Sequence, residues 1–220
     1  MSADTAGIDR AVAWVKDDPF GVEFAEIRIT STRMTAVGVA IGTAPLPYRL
    51  DYELETSADF VTARLRATSR GAGWHRELEL RRSDDGAWSI EAGSTGSVDL
   101  PRAGGEATQL AQALDCDLEL SPVTNTMPVL RHGLLHGGGP VELTMAWIAV
   151  PALSVGADRQ RYRHVAPGTV RFEAVDDSFV ADIALDADAI VIDYPGIARR
   201  LGRALLRRDE QRNLERDAPG

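Results

Sequence analysis

Between Tyr48 and Glu55 the chain reads "YRLDYELE". Tyr48, Leu50, Tyr52 and Leu54 fall on one side of a period-two repeat, with Arg49, Asp51, Glu53 and Glu55 on the other. That is the pattern of a half-buried antiparallel strand, because side chains alternate across a pleated backbone and only one face meets a core. Similar runs stand on either side, at Phe24–Thr30, Met34–Ile41, Phe60–Ala67, Trp74–Arg81 and Ala87–Glu91, each bounded by Gly, Pro, Asp or Ser. The segment "RSDDGAW" (Arg82–Trp88) carries Asp85-Gly86, a pair that tolerates the positive φ angles of a tight hairpin.

After Glu91 a Gly/Ser-rich stretch, Ala92–Ala107, reads as a link. Strand patterns resume at Val141–Val150, Gln160–Val165, Thr169–Ala174, Phe179–Leu185 and Ala189–Asp193. Only Ile197–Glu215 has helical spacing, with Ile197, Leu201, Leu205 and Leu214 forming a stripe after "DYPG". Evenly spaced strands with one terminal helix predict a mainly β fold, a large curved antiparallel sheet or open β-barrel with a C-terminal helix. A single domain is expected, its core at about residues 22–198 and its helix and basic tail at 197–220.

The 220 residues carry a net charge of −9, yet Arg199–Gly220 hold seven arginines against four acids. The remaining body is therefore near −12, which repels phosphate backbones and argues against nucleic acid as a partner. Cys116 is the only cysteine, so an intrachain disulfide and a cysteine-based zinc site are both excluded. The N-terminal twenty residues lack the charged and apolar regions of a signal peptide, and no apolar run is long enough to cross a membrane. A cytoplasmic location without a transmembrane segment is the expectation.

Chemistry-bearing motifs are sparse. His132 and His136 have the i, i+4 spacing of metal ligands, but "RHGLLHGGGP" is too glycine-rich for the helix that would aim them, so no metal is expected. No G-x-S-x-G elbow is present, and Gly137–Gly139 lack the Gly-Lys-Ser/Thr ending of a phosphate loop. Neither a nucleophile nor a cofactor is predicted. Carboxylate pairs such as Asp115/Asp117 read as an exposed strand face. In "RQRYRH" (Arg159–His164) the three arginines share one face, either a solvent face that deters edge pairing or a ladder for an anionic or polyhydroxyl headgroup. Trp74, Trp88 and Trp147 alternate in phase with apolar neighbours, as core residues or as the wall of a cleft on the concave face.

The densest turn chemistry lies in "DCDLELSPVTNTMPVLR", Asp115–Arg131. Asp117, Ser121, Thr124, Asn125 and Thr126 can bond nearby backbone while Pro122 and Pro128 stiffen the chain, which describes a rigid crossover. The same hydroxyls and amide, with Arg131 for an anionic group and Tyr162 at the rim, also suit a sugar-binding entrance. Together with "QRY" at Gln160–Tyr162, "DYPG" at Asp193–Gly196, "DGAW" at Asp85–Trp88 and "YRLDY" at Tyr48–Tyr52, this stretch resembles the bacterial "putative glycolipid-binding" family over roughly Glu23–Leu201. The resemblance implies a β fold similar to the lipoprotein-localisation carriers, which hold acyl chains in a half-open barrel. The expected function is non-enzymatic binding of a lipid or glycolipid in an apolar cleft; the alternative is an enzyme acting on a small hydrophobic or sugar-like substrate in the same cleft.

Overall fold

The computed structural model describes residues 7–202 except Asp177. Fourteen strands make one sheet: β1 (Ile8–Asp17), β2 (Phe20–Ile29), β3 (Met34–Gly42), β4 (Tyr48–Thr56), β5 (Thr62–Gly71), β6 (Trp74–Arg82), β7 (Trp88–Gly96), β8 (Ala113–Leu118), β9 (Val141–Ile148), β10 (Val155–Ala166), β11 (Thr169–Ala174), β12 (Val180–Leu185), β13 (Val191–Tyr194) and β14 (Ala198–Arg200). Their spatial order runs from β7 down to β1, then from β14 down to β8, so the first and last strands meet in the middle of the sheet. Every neighbouring pair is antiparallel except β8 and β9. The meander is built from short turns such as Ser83–Ala87, where Gly86 takes φ +90° and its N–H donates to Ser83 O at 2.9 Å.

The sheet is not closed, but its two ends approach each other. The indole of Trp88 and Nε of Arg82 both donate to the carbonyl of Ala113 on β8, at 3.1 and 3.3 Å, and the Cys116 N–H donates to the Thr62 hydroxyl at 3.0 Å. Side chains of β5–β7 thus cap the free edge of β8 in place of a backbone ladder, which satisfies buried polar groups without pairing. Buried residues form two core clusters. The first gathers Trp14, Leu50, Leu65, Leu80 and Leu118 with Cys116, Ala146 and Ile148, and the second gathers Met145, Tyr162, Val170, Phe172 and Ile183. Alternate residues of β9 therefore serve different cores, Met145 the second and Ala146 and Ile148 the first, while the buried apolar residues of β8 all serve the first. A parallel pair covered on both faces is the arrangement in which parallel strands are stable.

The segment between β8 and β9 enters this interior. A 3-10 turn at Pro122–Asn125 leads into α1 (Thr126–Arg131), and every residue from Ser121 to Val129 is buried. Val123 and Met127 join the first core and Val129 the second. Close approach at the core is made possible by small residues: a Cβ on Gly38 would lie 2.2 Å from the ring of Tyr52, its cross-strand partner.

Three expectations change. The sheet begins at Ile8 rather than near Val22, because β1 carries apolar residues on both faces and so masks its own alternation. The expected link from Ala92 is strand as far as Gly96, held by its ladder with β6. The expected helix from Ile197 is not formed where it is described: Ala198–Arg200 pair with β1 and β13, since the otherwise open edge of β1 offers more than helical propensity does. The rest of that expected helix, to Glu215, and the basic tail to residue 220 lie outside the described residues.

Candidate functional site

The stretch Asp115–Arg131 builds a polar layer between the two cores. Asp117 is its hub: Thr124 Oγ1 donates to Oδ1 and Gln160 Nε2 to Oδ2, both at 2.7 Å, and Gln160 Nε2 also lies 3.0 Å from Asp158 Oδ2. The Tyr162 hydroxyl sits 2.9 Å from Asn125 Oδ1 and 3.1 Å from Gln160 Oε1. Asp117, Trp147, Gly156 and Asp158 share one face, since Trp147 is the register partner of Asp117 across the parallel pair and of Gly156 across β10. These four are half-buried, whereas Thr124, Asn125, Gln160 and Tyr162 are buried behind them. Burial, with Asp158 and Asp115 nearby, pushes the Asp117 carboxyl up to about 6 against its hydrogen bonds to Thr124 and Gln160.

Beside Trp147 the wall steps back. A Cβ built on Gly156, the partner of Trp147 on β10, would meet nothing within 4 Å, so the space over Gly156 is open. A half-buried aromatic with carboxylates alongside offers an apolar face and hydrogen-bond acceptors at once, the two demands that a sugar ring makes on a site.

The remaining predicted residues are used elsewhere. Ser121 donates to Glu23 Oε1 at 2.6 Å in a second buried group, where Glu23 also accepts from Tyr52 (2.8 Å) and from Lys16 (2.8 Å). Thr126 donates to Ala189 O at 3.1 Å, tying α1 to the turn between β12 and β13. Arg131 makes a two-pronged pair with Asp115, 2.6 Å at one prong, and so has a protein carboxylate where a ligand anion was expected. Trp74 and Trp88 are filled into the first core, and Tyr162 is buried rather than at a rim. On the apolar inner face, Trp74, Leu78, Leu80 and Trp88 are buried in one cluster with Leu118 of β8 and with Val123 and Met127. The arginines of β10 are met by Glu142 and Glu173 of the flanking strands.

Residues that the sequence alone did not single out are Asp158, Gln160, Gly156 and Glu23. Gln160 and Tyr162 share a face in "RQRYRH", so alternation carried a signal for Gln160; nothing local marked Glu23, whose neighbours Val22 and Phe24 are the more apolar pair and yet point outward. Among the described residues no group of three or more His, Cys, Asp or Glu is placed to hold a metal, and no helix is long and apolar enough to cross a membrane.

No curated protein matches this chain. Among solved structures, the chain is similar to a DUF1089 family protein from Pseudomonas aeruginosa, with 28% sequence identity and a TM-score of 0.65 over 81% of this chain and 92% of that one. Residues 11–200 match the family described as "Putative glycolipid-binding", which spans all fourteen strands apart from the first residues of β1. The chain belongs to that family.

Proposed function

We propose that this protein binds the sugar headgroup of a glycolipid in the slot between Trp147 and Gly156, without catalysing its turnover. The observation that carries the proposal is a half-buried indole whose strand partner, Gly156, has open space over it, with two half-buried carboxylates on the same face. In this reading the sugar stacks its C–H face on Trp147 and donates hydroxyls to Asp117 and Asp158. Thr124 and Gln160 hold Asp117, and Gln160 reaches Asp158 as well, so little ordering is left to the binding step. The amide of Gln160 lies between the two carboxylates, which favours a binding site over a pair flanking a bond to be cleaved. The filled cores favour an acyl chain that stays outside the roll, in place of the apolar cleft expected from sequence. A lone cysteine suits a cytoplasmic setting.

Titration with a sugar-headed detergent such as dodecyl maltoside tests this. Trp14, Trp74 and Trp88 are buried, so a change in tryptophan emission on titration reports on Trp147. Trp147→Ala, which lacks the reporter and is measured by titration calorimetry beside the unmodified chain, should weaken binding at least tenfold. A Trp147→Ala protein that binds as tightly as the unmodified chain would overturn the assignment.

A further inference from the structure

A cleft of about 680 Å3 opens at the seam, where the inner face of β7 (Ile90, Ala92 and Ser94) meets Arg102–Glu106. Ser94 stands opposite Arg76 on β6, and Arg76 opposite Ser69 on β5, so the three form one row across the sheet. Arg76 and Ser69 are buried. Two nitrogens of the guanidinium are engaged by backbone: Nη1 donates to Ala152 O at 2.6 Å and to Pro101 O, and Nη2 to Leu100 O at 3.1 Å. Nε–H has no partner, nor does the Ser69 hydroxyl, and these are the two buried side-chain atoms left unpaired among the described residues.

The charge is as unusual as the hydrogen bonding. Lys16 and Arg131, also shielded from water, each meet a carboxylate. Among the described residues no acid pairs with Arg76, and burial lowers its pKa. Carbonyl dipoles solvate a guanidinium but do not neutralise it, so the site carries an uncompensated positive charge, the costly condition for a buried ion. Arg102 and Glu106 offset each other in the lining, and Arg76, which is not part of that lining, is the unbalanced charge behind it, opposite Ser94 and bonded to the carbonyls of Leu100 and Pro101 that lead into Arg102.

We propose that the seam cleft is an oxyanion site: a phosphate- or carboxylate-class group entering beside Ser94 takes the free Nε–H edge of Arg76 and the Ser69 hydroxyl. Side-on engagement of a guanidinium by two oxygens is its strongest geometry, and Ser94 supplies a further hydroxyl at the entrance. This site is separate from the Trp147 slot and stands without it.

The test compares melting of the full chain in Tris chloride with melting after addition of inorganic phosphate, dodecyl phosphate or dodecyl maltoside, at constant ionic strength. A bound oxyanion should raise the melting temperature by about 5 °C at a hundredfold excess over its Kd. A shift with both phosphates assigns a free oxyanion, and a shift with dodecyl phosphate alone assigns a lipid headgroup; either supports the site. Ser94→Asp, on an exposed edge strand, brings a carboxylate to Arg76 and should abolish the shift. Trp147→Ala should keep the phosphate shift while losing dodecyl maltoside, so the sugar slot and the anion site fail separately. Identical melting in chloride and in both phosphates, or an undiminished shift in Ser94→Asp, would overturn the proposal and leave water as the partner of Arg76.

Discussion

β4 and β8 both alternate apolar with charged residues, yet the charged side chains of β4 stand in solvent or near it and those of β8 stand between two cores. On β4 the outward Arg49 and Asp51 pair with each other in contact with water. On β8 Asp115 is fully buried against Arg131, and Asp117 is held by Thr124 and Gln160. The alternation is the same; the difference comes from the parallel partner and from the chain that turns back beneath it. Period two reports that a strand has two unlike faces, and says nothing about whether the polar face is wet.

That contrast can be broken or sharpened by substitution. The largest effect is expected at Arg131→Ala, which strands the Asp115 carboxylate in the interior and should cost about 3–5 kcal/mol in urea unfolding. A midpoint unchanged from the parent would place Asp115 in contact with water. Asn125→Ala comes next: it removes an acceptor from the buried Tyr162 hydroxyl and should cost about 1–3 kcal/mol, and a protein melting like the parent would sink the structural role of the segment.

Asp117 gives the contrast a pH dependence. Its carboxyl is raised from 3.8 to about 6 in the fold, so between those values the folded state holds more protons than the unfolded one and stability falls as pH rises. The penalty is complete above about pH 6 and should be on the order of 2 kcal/mol. Asp117→Asn should flatten this part of the stability profile; a profile as steep as the parent's would show that the carboxyl titrates normally. The smallest effect is expected on β4, where Arg49→Ala should leave the thermal midpoint unchanged within error, since exposed pairs contribute little. A drop as large as that of Asn125→Ala would mean the two strands are not as different as their surroundings suggest.

Much of the fold was legible because its strands are amphipathic. Tyr48–Glu55 and the Asp85-Gly86 hairpin could be read directly, and β9–β13 followed from the same rule. β1 was not read, and on β2 and β3 it was the choice of faces that resisted, for a physical reason. Val22, Phe24, Val37 and Ile41 face outward while Glu23 faces inward, so hydrophobicity gives the wrong phase there, and only the partners of Glu23, Lys16 and Tyr52 among them, explain the inversion. Within the site, the Thr124–Asn125–Thr126 motif announced local hydrogen bonding, but its partners Tyr162 and Ala189 lie tens of residues away, beyond the reach of a local pattern. Gly156 matters through the side chain it lacks, which only its neighbour Trp147 reveals.

The meeting of β1 with β14 at the centre of the sheet also fixes a timetable. A ribosome delivers β1–β7 first, and adjacent hairpins let that half form as it emerges. The open edge of β1 must then wait for Ala198–Arg200, and the indole of Trp14 for the carbonyl of Val191, 177 residues downstream. During that interval the chain exposes the second edge of a ten-residue strand, a template for strand addition by any neighbouring chain. Slow translation of the second half should therefore lower the yield of folded protein, and a β14 peptide supplied in trans should protect it.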